Sequence, residues 1–165
     1  MLGERATERA AEEAAGGAEA LAPAGPTALP STPGASASPP RGALRVIDLA
    51  EHFGRFEDRW TPKLVAEMNG QLVKLAKGEG DIVWHSHEHE DEFFLVVAGE
   101  LTIHLRDGAL TLGPGQCAVV PAGVEHRASA AVETHIVLIE PASTRHTGEV
   151  ESEQTVSIED QEWLL

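Results

Sequence analysis

The chain has 165 residues, with 27 acidic and 12 basic side chains and a net charge of −15 when the histidines are neutral. That length suits one domain with at most an appendage, and so negative a surface repels phosphate backbones and anionic lipid, which sets aside nucleic-acid and membrane-surface roles. The single cysteine, Cys117, excludes an intrachain disulfide framework and a multi-cysteine zinc site, the lack of Tyr removes any tyrosine base, and no apolar run approaches the ~20 residues that span a bilayer. A soluble, cytoplasmic protein is the expectation.

Residues 1–43 read as a disordered Ala/Pro/Glu-rich tail. Glu4–Leu21 is rich in Ala, Glu and Arg, but an isolated helix of that length is marginal in water. The Pro/Ala/Ser/Gly tract that follows has almost nothing to bury, so it cannot offset the chain entropy lost on folding. Glu12, Glu13 and Glu19 interrupt any apolar core of a secretory signal, and five Glu against three Arg do not suit a transit peptide.

Residues 44–165 read as a single domain built of short strands. Arg45–Phe53 forms a brief helix or lead-in turn. Lys63–Met68 and Gln71–Lys77 pair as a hairpin across Asn69-Gly70, a dipeptide that favours a type I′ turn. Further strands are predicted over Ile82–His87, Glu92–Ala98, Leu101–Arg106, Leu110–Leu112, Cys117–Val120, His126–Ala130 and Thr134–Glu140. Asp107-Gly108 and Gly113-Pro114-Gly115 supply turns. Many short strands at close spacing argue an all-β antiparallel sandwich or barrel. Phe93–Ala98 is apolar at every position, so both of its faces should be buried, the outer one under the Lys63–Met68 hairpin or a second subunit.

The histidines cluster. His85 and His87 are two apart, so on a strand both imidazoles project from one face. Glu92 shares parity with Phe94 and Val96, which points its carboxylate inward above an apolar floor. A second stretch, Gly115–His126, runs from a strand through a Pro121-Ala122-Gly123 turn to a histidine at the head of the next strand. Three imidazoles and one carboxylate can fill four positions of an octahedron, leaving two for water, dioxygen or a chelating substrate.

These residues resemble the cupins. The family's first motif places a Gly ahead of His-x-His, then a Glu and a Gly at set spacings, and His85, His87, Glu92 and Gly99 fall at those spacings. Its second motif is matched by Gly115, Pro121, Gly123 and His126. Gly80 lies one residue closer to His85 than the pattern has it, and Ala130 stands where the pattern has Asn. Neither position is a metal ligand there, so only local turn geometry is put in doubt. The resemblance covers about residues 60–141 and implies a jelly-roll β-barrel, a metal bound by His85, His87, Glu92 and His126, and a homodimer. Trp84-His85-Ser86-His87 followed by Asp91-Glu92-Phe93-Phe94 also looks like the small cupins described as similar to mannose-6-phosphate isomerase, largely by fold.

Histidine and carboxylate ligands without thiolates suit one divalent transition metal among Fe, Mn, Ni, Zn, Co and Cu. Glu92 is also the candidate catalytic base, since a carboxylate in a dry cavity can take that role. A metal-dependent dioxygenase or isomerase acting on a small oxygenated molecule is the first functional reading, and a non-catalytic small-molecule or metal-binding sensor is the second. A sugar-phosphate isomerase needs a phosphate clamp, for which Arg106, Arg127 and Arg145 are the candidates. A base in the cavity besides the metal ligands favours the enzyme, and a purely apolar lining favours binding. Of the other notable side chains, His89, His52 and His146 read as solvated, His104 as a non-ligand on the opposite face, Glu125 as surface, Trp84 as packed outside the cavity and Cys117 as a buried small hydrophobe. His135 stays ambiguous.

Overall fold

The computed structural model describes residues 44–164, and the tail expected over residues 1–43 lies outside them. Helix α1 (Leu49–Phe53) starts where Asp48 Oδ1 accepts the Glu51 N–H at 3.0 Å, satisfying one of the amide donors that a first turn leaves unpaired, and it ends at Gly54. Strands β1 (Lys63–Met68) and β2 (Gln71–Asp81) form the predicted hairpin. Asn69 and Gly70 take φ of 53° and 78°, as both central residues of a type I′ turn must. Strands β3 (Glu92–Ala98), β4 (Leu101–Leu105), β5 (Gly108–Leu112), β6 (Cys117–Val120) and β7 (His126–Pro141) follow.

The ladder runs β1-β2-β7-β3-β6, with β4 joined to β7 and β5, and every pairing of these strands is antiparallel. Strand β7 is the hub, since β2, β3 and β4 all bond to it. This is the all-β antiparallel jelly roll that the sequence predicts. The hydrogen-bonded path is an open roll, with β1 and β6 as its ends.

Three strand boundaries differ from expectation. Ile82–His87 is not a strand: β2 runs on to Asp81, after which the Val83 N–H is taken by the Gln154 side chain at 3.1 Å and His85 keeps only a bridge to His126. The two expected strands at His126–Ala130 and Thr134–Glu140 are one, because no Gly or Pro between them breaks the run, and β2 absorbs the bend by an irregularity at Gly78–Gly80. The hairpin turn expected at Asp107-Gly108 sits one residue earlier, and Gly108 already belongs to β5.

Two side chains also differ. His52 is buried, its Nδ1 donating to the Asp48 carbonyl at 2.7 Å, because the turn of α1 folds it back on its own N-cap. Cys117 is exposed rather than buried, because it starts β6 at the end of the sheet path, where β3 alone pairs with it.

The roll has an apolar layer on each side of the sheet. Inside are Phe94, Val96, Leu101, Ile103, Ala128 and Ile136, among others. Outside, Leu95 and Val97 of β3 pack on a second cluster of Phe53, Phe56, Val65, Leu75, Val137 and Leu164. The outer face of β3 is thus covered by the hairpin strand β1, as expected, together with α1 and the chain's last described residues. The latter are tied in by Leu64 N–H to the Glu162 carbonyl and Leu164 N–H to the Leu64 carbonyl, both at 2.8 Å.

One ion pair lies within the inner layer. Lys74 Nζ meets Glu140 Oε1 at 2.6 Å, with the two side chains 1% and 5% exposed. Burial, then the charge of Glu92, pushes the Glu140 carboxyl up to about 7, against the pull of Lys74. Removing one member of a buried pair strands the other without a partner, whereas replacing both with apolar groups is often neutral. Lys74→Met is therefore expected to lower unfolding stability by about 3–5 kcal/mol, and Lys74→Met with Glu140→Leu to recover most of that loss. Urea denaturation of both variants checks it, and equal losses would mean that the pair contributes net stability.

Candidate metal centre

His85, His87, Glu92 and His126 converge inside the roll, all four buried, with one potential ligand atom from each lying within 4.8 Å of the others. They come from three places in the chain. His126 opens β7, Glu92 opens β3, and His85 and His87 lie on the irregular stretch after β2. Backbone bonds lock these places together. His85 N–H donates to the His126 carbonyl at 3.0 Å, His126 N–H returns to the His85 carbonyl at 2.9 Å, and Gly123 N–H donates to the His87 carbonyl at 2.7 Å. The Pro121-Ala122-Gly123 turn is anchored further by Ala122 N–H to Asp91 Oδ1 at 2.9 Å.

The ring orientations follow from second bonds. His85 Nδ1 donates to the Val83 carbonyl at 2.9 Å, and His126 Nδ1 donates to the Val124 carbonyl at 3.0 Å. Each ring thereby turns Nε2 away from the backbone, and a carbonyl on the far nitrogen also raises ligand basicity. His126 Nε2 lies 3.1 Å and His87 Nε2 3.3 Å from the same atom, Glu92 Oε2. The His87 contact lacks hydrogen-bond alignment, so His87 Nε2 is a fully buried polar atom with no partner. Such atoms are rare in folded proteins and call for an occupant.

The donor set fits a metal. Bonds of about 2.0–2.2 Å to one ion put its ligand atoms no more than about 4.4 Å apart, so the group needs only slight contraction. The electrostatics agree. Burial alone would raise the Glu92 carboxyl, but the hydrogen bond from His126 and the His87 imidazole close beside it outweigh burial and hold the group well below the usual carboxylate range. Burial pushes His126 down, yet the Glu92 carboxylate more than reverses this and raises it above an ordinary imidazole. His85 lacks a carboxylate contact, and burial pushes it down to about 4, leaving it neutral at pH 7 and able to bind a metal.

Beside His85 and Glu92 lies a narrow cavity of about 30 Å³, walled by apolar side chains such as Trp60, Ile82, Phe94 and Leu138. At roughly 10–15 Å³ per water-sized occupant it admits about two or three atoms. Two members of this lining were not expected there. Trp60, which nothing in the sequence singles out, is held at φ 52° by its N–H to the Lys77 carbonyl and its Nε1–H to the Glu79 carbonyl. His146, expected to be solvated, also lines the cavity, and burial pushes it down to about 4. It arrives on the segment after β7, whose course across residues 81–86 depends on tertiary contacts. No local pattern marks it.

The remaining candidates lie elsewhere. His89 is exposed in the loop before β3. His104 bonds Ser129 Oγ at 2.8 Å on the opposite face, and His135 stacks on Phe53 with centroids 4.3 Å apart. Trp84 stands outside the cavity with Arg106 over its ring at 4.0 Å. Glu125 is exposed and takes both hydrogen bonds of that Arg106. Arg127 pairs with Asp81, and Arg145 with Glu149 and Glu151, so each candidate for a phosphate clamp already faces a carboxylate and none lines the cavity.

The cupin domain family profile matches residues 71–140. A Bacillus subtilis protein of uncharacterised function, YdbB, is 34% identical over 77 residues, covering 46% of this chain and 68% of its own length. The crystal structure of a cupin-2 domain containing protein from Shewanella frigidimarina is 45% identical, covers 58% of this chain and 94% of its own, and superposes with a TM-score of 0.58. A hydroquinone 1,2-dioxygenase from Sphingomonas shares the fold alone, at 17% identity, 65% coverage of this chain and 35% of its own, and a TM-score of 0.52.

A pH window follows from the lowered imidazoles. His85 and His146 sit near 4 in the folded protein and rise to the ordinary 6.5 on unfolding. Between those values the unfolded chain binds protons that the folded chain does not, so stability falls as pH drops from about 6.5 to about 4, by at most about 3 kcal/mol per ring. His126 acts above 6.5, where its raised value makes stability fall as pH climbs. Glu140, raised to about 7, acts inside the window with the opposite sign, because the folded chain keeps a proton there that the unfolded chain has released, but one carboxyl offsets only about one of the two rings and the net change remains a loss. Urea midpoints of chelator-treated protein at pH 7 and pH 4.5 test this, the lower midpoint being expected at pH 4.5.

Proposed function

The chain belongs to the cupin family, and on that premise we propose that it is a metal-dependent enzyme of dioxygenase or isomerase type acting on a small oxygenated molecule. One divalent transition metal, among Fe, Mn, Ni, Zn, Co and Cu, is proposed to be held by His85, His87, Glu92 and His126. The observation that carries this reading is the orphaned, fully buried Nε2 of His87, set among ligand atoms from three other residues and beside a cavity. A metal so held supplies a Lewis acid for a substrate oxygen, or an electron-transfer partner for dioxygen where it is redox-active.

The chain's own residues supply the setting. The Glu92 carboxylate is the one acidic member of the ligand set and offsets positive charge there. The apolar wall excludes water and so strengthens each electrostatic contact within. Glu92 remains the proposed base, although two imidazoles hold it ionised and favour its part as a ligand. His146 is a titratable group in the lining that is outside the ligand set, which favours an enzyme over the second reading, a non-catalytic binding or sensor protein. The engaged state of Arg106, Arg127 and Arg145 speaks against a phosphosugar substrate.

A homodimer is proposed as well. The outer groove that includes Met68, Phe93, Val119 and Ile139 is mostly apolar, and Met68 and Val119 are about half exposed in it, at 52% and 55%. No nucleic-acid or membrane partner is proposed for so acidic a chain. Among the described residues no helix is long and apolar enough to cross a membrane.

Elemental analysis of the untagged protein beside His126→Ala tests the centre. About one metal per chain, lost in the variant, is expected, and oxygen consumption is then screened with small oxygenated substrates. No metal after reconstitution with Fe, Mn, Ni and Zn overturns the metalloenzyme reading.

A further inference from the structure

The segment after β7 lies beyond the residues that the family profile matches, yet it is fastened across the stretch that carries His85 and His87. The Gln154 side chain accepts the Val83 N–H at 3.1 Å and donates to the Asp81 carbonyl at 2.9 Å. Gly148 lies so close against the Ser86 carbonyl that a Cβ there would collide with backbone, and its φ of 54° is one that glycine adopts without strain. Thr147, fully buried, donates to the Val150 carbonyl at 2.6 Å and stiffens the turn between these anchors. His146 is carried on this strap.

The Val156 N–H donates to His146 Nδ1 at 3.2 Å. A nitrogen that accepts from an amide is unprotonated, so the ring carries its hydrogen on Nε2. His146 is also the one polar side chain in the cavity lining besides His85 and Glu92, and it stands outside the four residues whose ligand atoms converge. Resting on the metal-centre reading above, we infer that His146 is a ligand-binding residue that presents Nε2–H to a small anion seated in the cavity beside His85 and Glu92, and thereby selects small anions over neutral molecules of similar size. Its low basicity keeps the ring a neutral donor at pH 7. The strap explains how the donor is aimed, because Nδ1 is tied to Val156 while Gly148 and Gln154, which follow the ring in the chain, hold the segment against residues 81–86.

The test uses cobalt(II)-loaded full-length protein and azide, a triatomic anion that suits the cavity, titrated by the visible spectrum. His146→Phe is expected to keep about one cobalt per chain and to weaken azide binding about tenfold or more, the worth of a hydrogen bond to a charged acceptor. His146→Gln retains an N–H donor and is expected to recover part of the affinity, which a purely space-filling role would not allow. Two-dimensional ¹⁵N NMR of the metal-free protein should show the His146 hydrogen on Nε2 at pH 7. Azide affinity unchanged in both variants, or a hydrogen on Nδ1, overturns the inference while leaving the metal centre intact. Cobalt lost from His146→Phe at unchanged circular dichroism overturns it differently, making His146 a ligand to the metal. A wild-type protein that takes up no cobalt removes the metal-centre reading and this inference with it.

Discussion

Four ionisable side chains buried at one point of an apolar interior would be strongly destabilising if each had to stand alone, and much of this structure serves to avoid that. An isolated buried charge costs several kcal/mol, so such groups survive only when paired and hydrogen-bonded. Here one carboxylate, Glu92, is shared by two imidazoles, and the far nitrogens of His85 and His126 are bonded to carbonyls two residues back in the chain. The reciprocal amide bridge between His85 and His126 holds the two backbones at the spacing this requires. Nothing of the kind satisfies His87 Nε2. A fully buried ring nitrogen left without a partner at the centre of the cluster is what a site shaped for a further occupant looks like.

The same constraint reaches outward along the inner face of the sheet. Strand β3 pairs Phe93 with Ile139 on β7, so the next residues along, Glu92 and Glu140, sit side by side on that face. Two carboxyls facing each other in an apolar layer need a cation, and Lys74 provides it from β2. The upward shift at Glu140 and the downward shift at Glu92 share this cause: Glu92 has the imidazoles, and Glu140 has the burial, the neighbouring negative charge and one ammonium. The centre and the Lys74–Glu140 pair thus form one electrostatic system, continuous across three strands. Outside the sheet, α1, β1 and Leu164 bury the face that an exposed roll would otherwise leave open, and this lets β3 be apolar on both sides.

Much of this was legible in the residues because it is local. Short apolar runs bounded by charged and turn residues located β3 and β6 to the residue, and Asn69-Gly70 named its own turn type. The parity of Glu92 with Phe94 and Val96 put the carboxylate inside, where it is. Errors fell where a non-local partner decides. Ile82–His87 has a strand's composition, but a glutamine more than seventy residues away takes the Val83 amide. Cys117 lies in an apolar run, and its exposure depends on β6 being at the end of the sheet path, which composition does not reveal.

His146 shows the division most clearly. The sequence by itself determined the strands, the turns, the inward carboxylate and the histidines available to converge with it, since each depends on side-chain parity or on backbone preferences within a few residues. It also determined the strong negative charge that disfavours polyanionic partners. Only the tertiary structure decided which side chains meet. Cross-strand register brought Lys74 to Glu140, and the path of the last described residues over the roll brought His146 and Gln154 to residues that precede them by some sixty to seventy positions. Those contacts depend on the summed geometry of the whole sheet, and no periodicity within one segment encodes that.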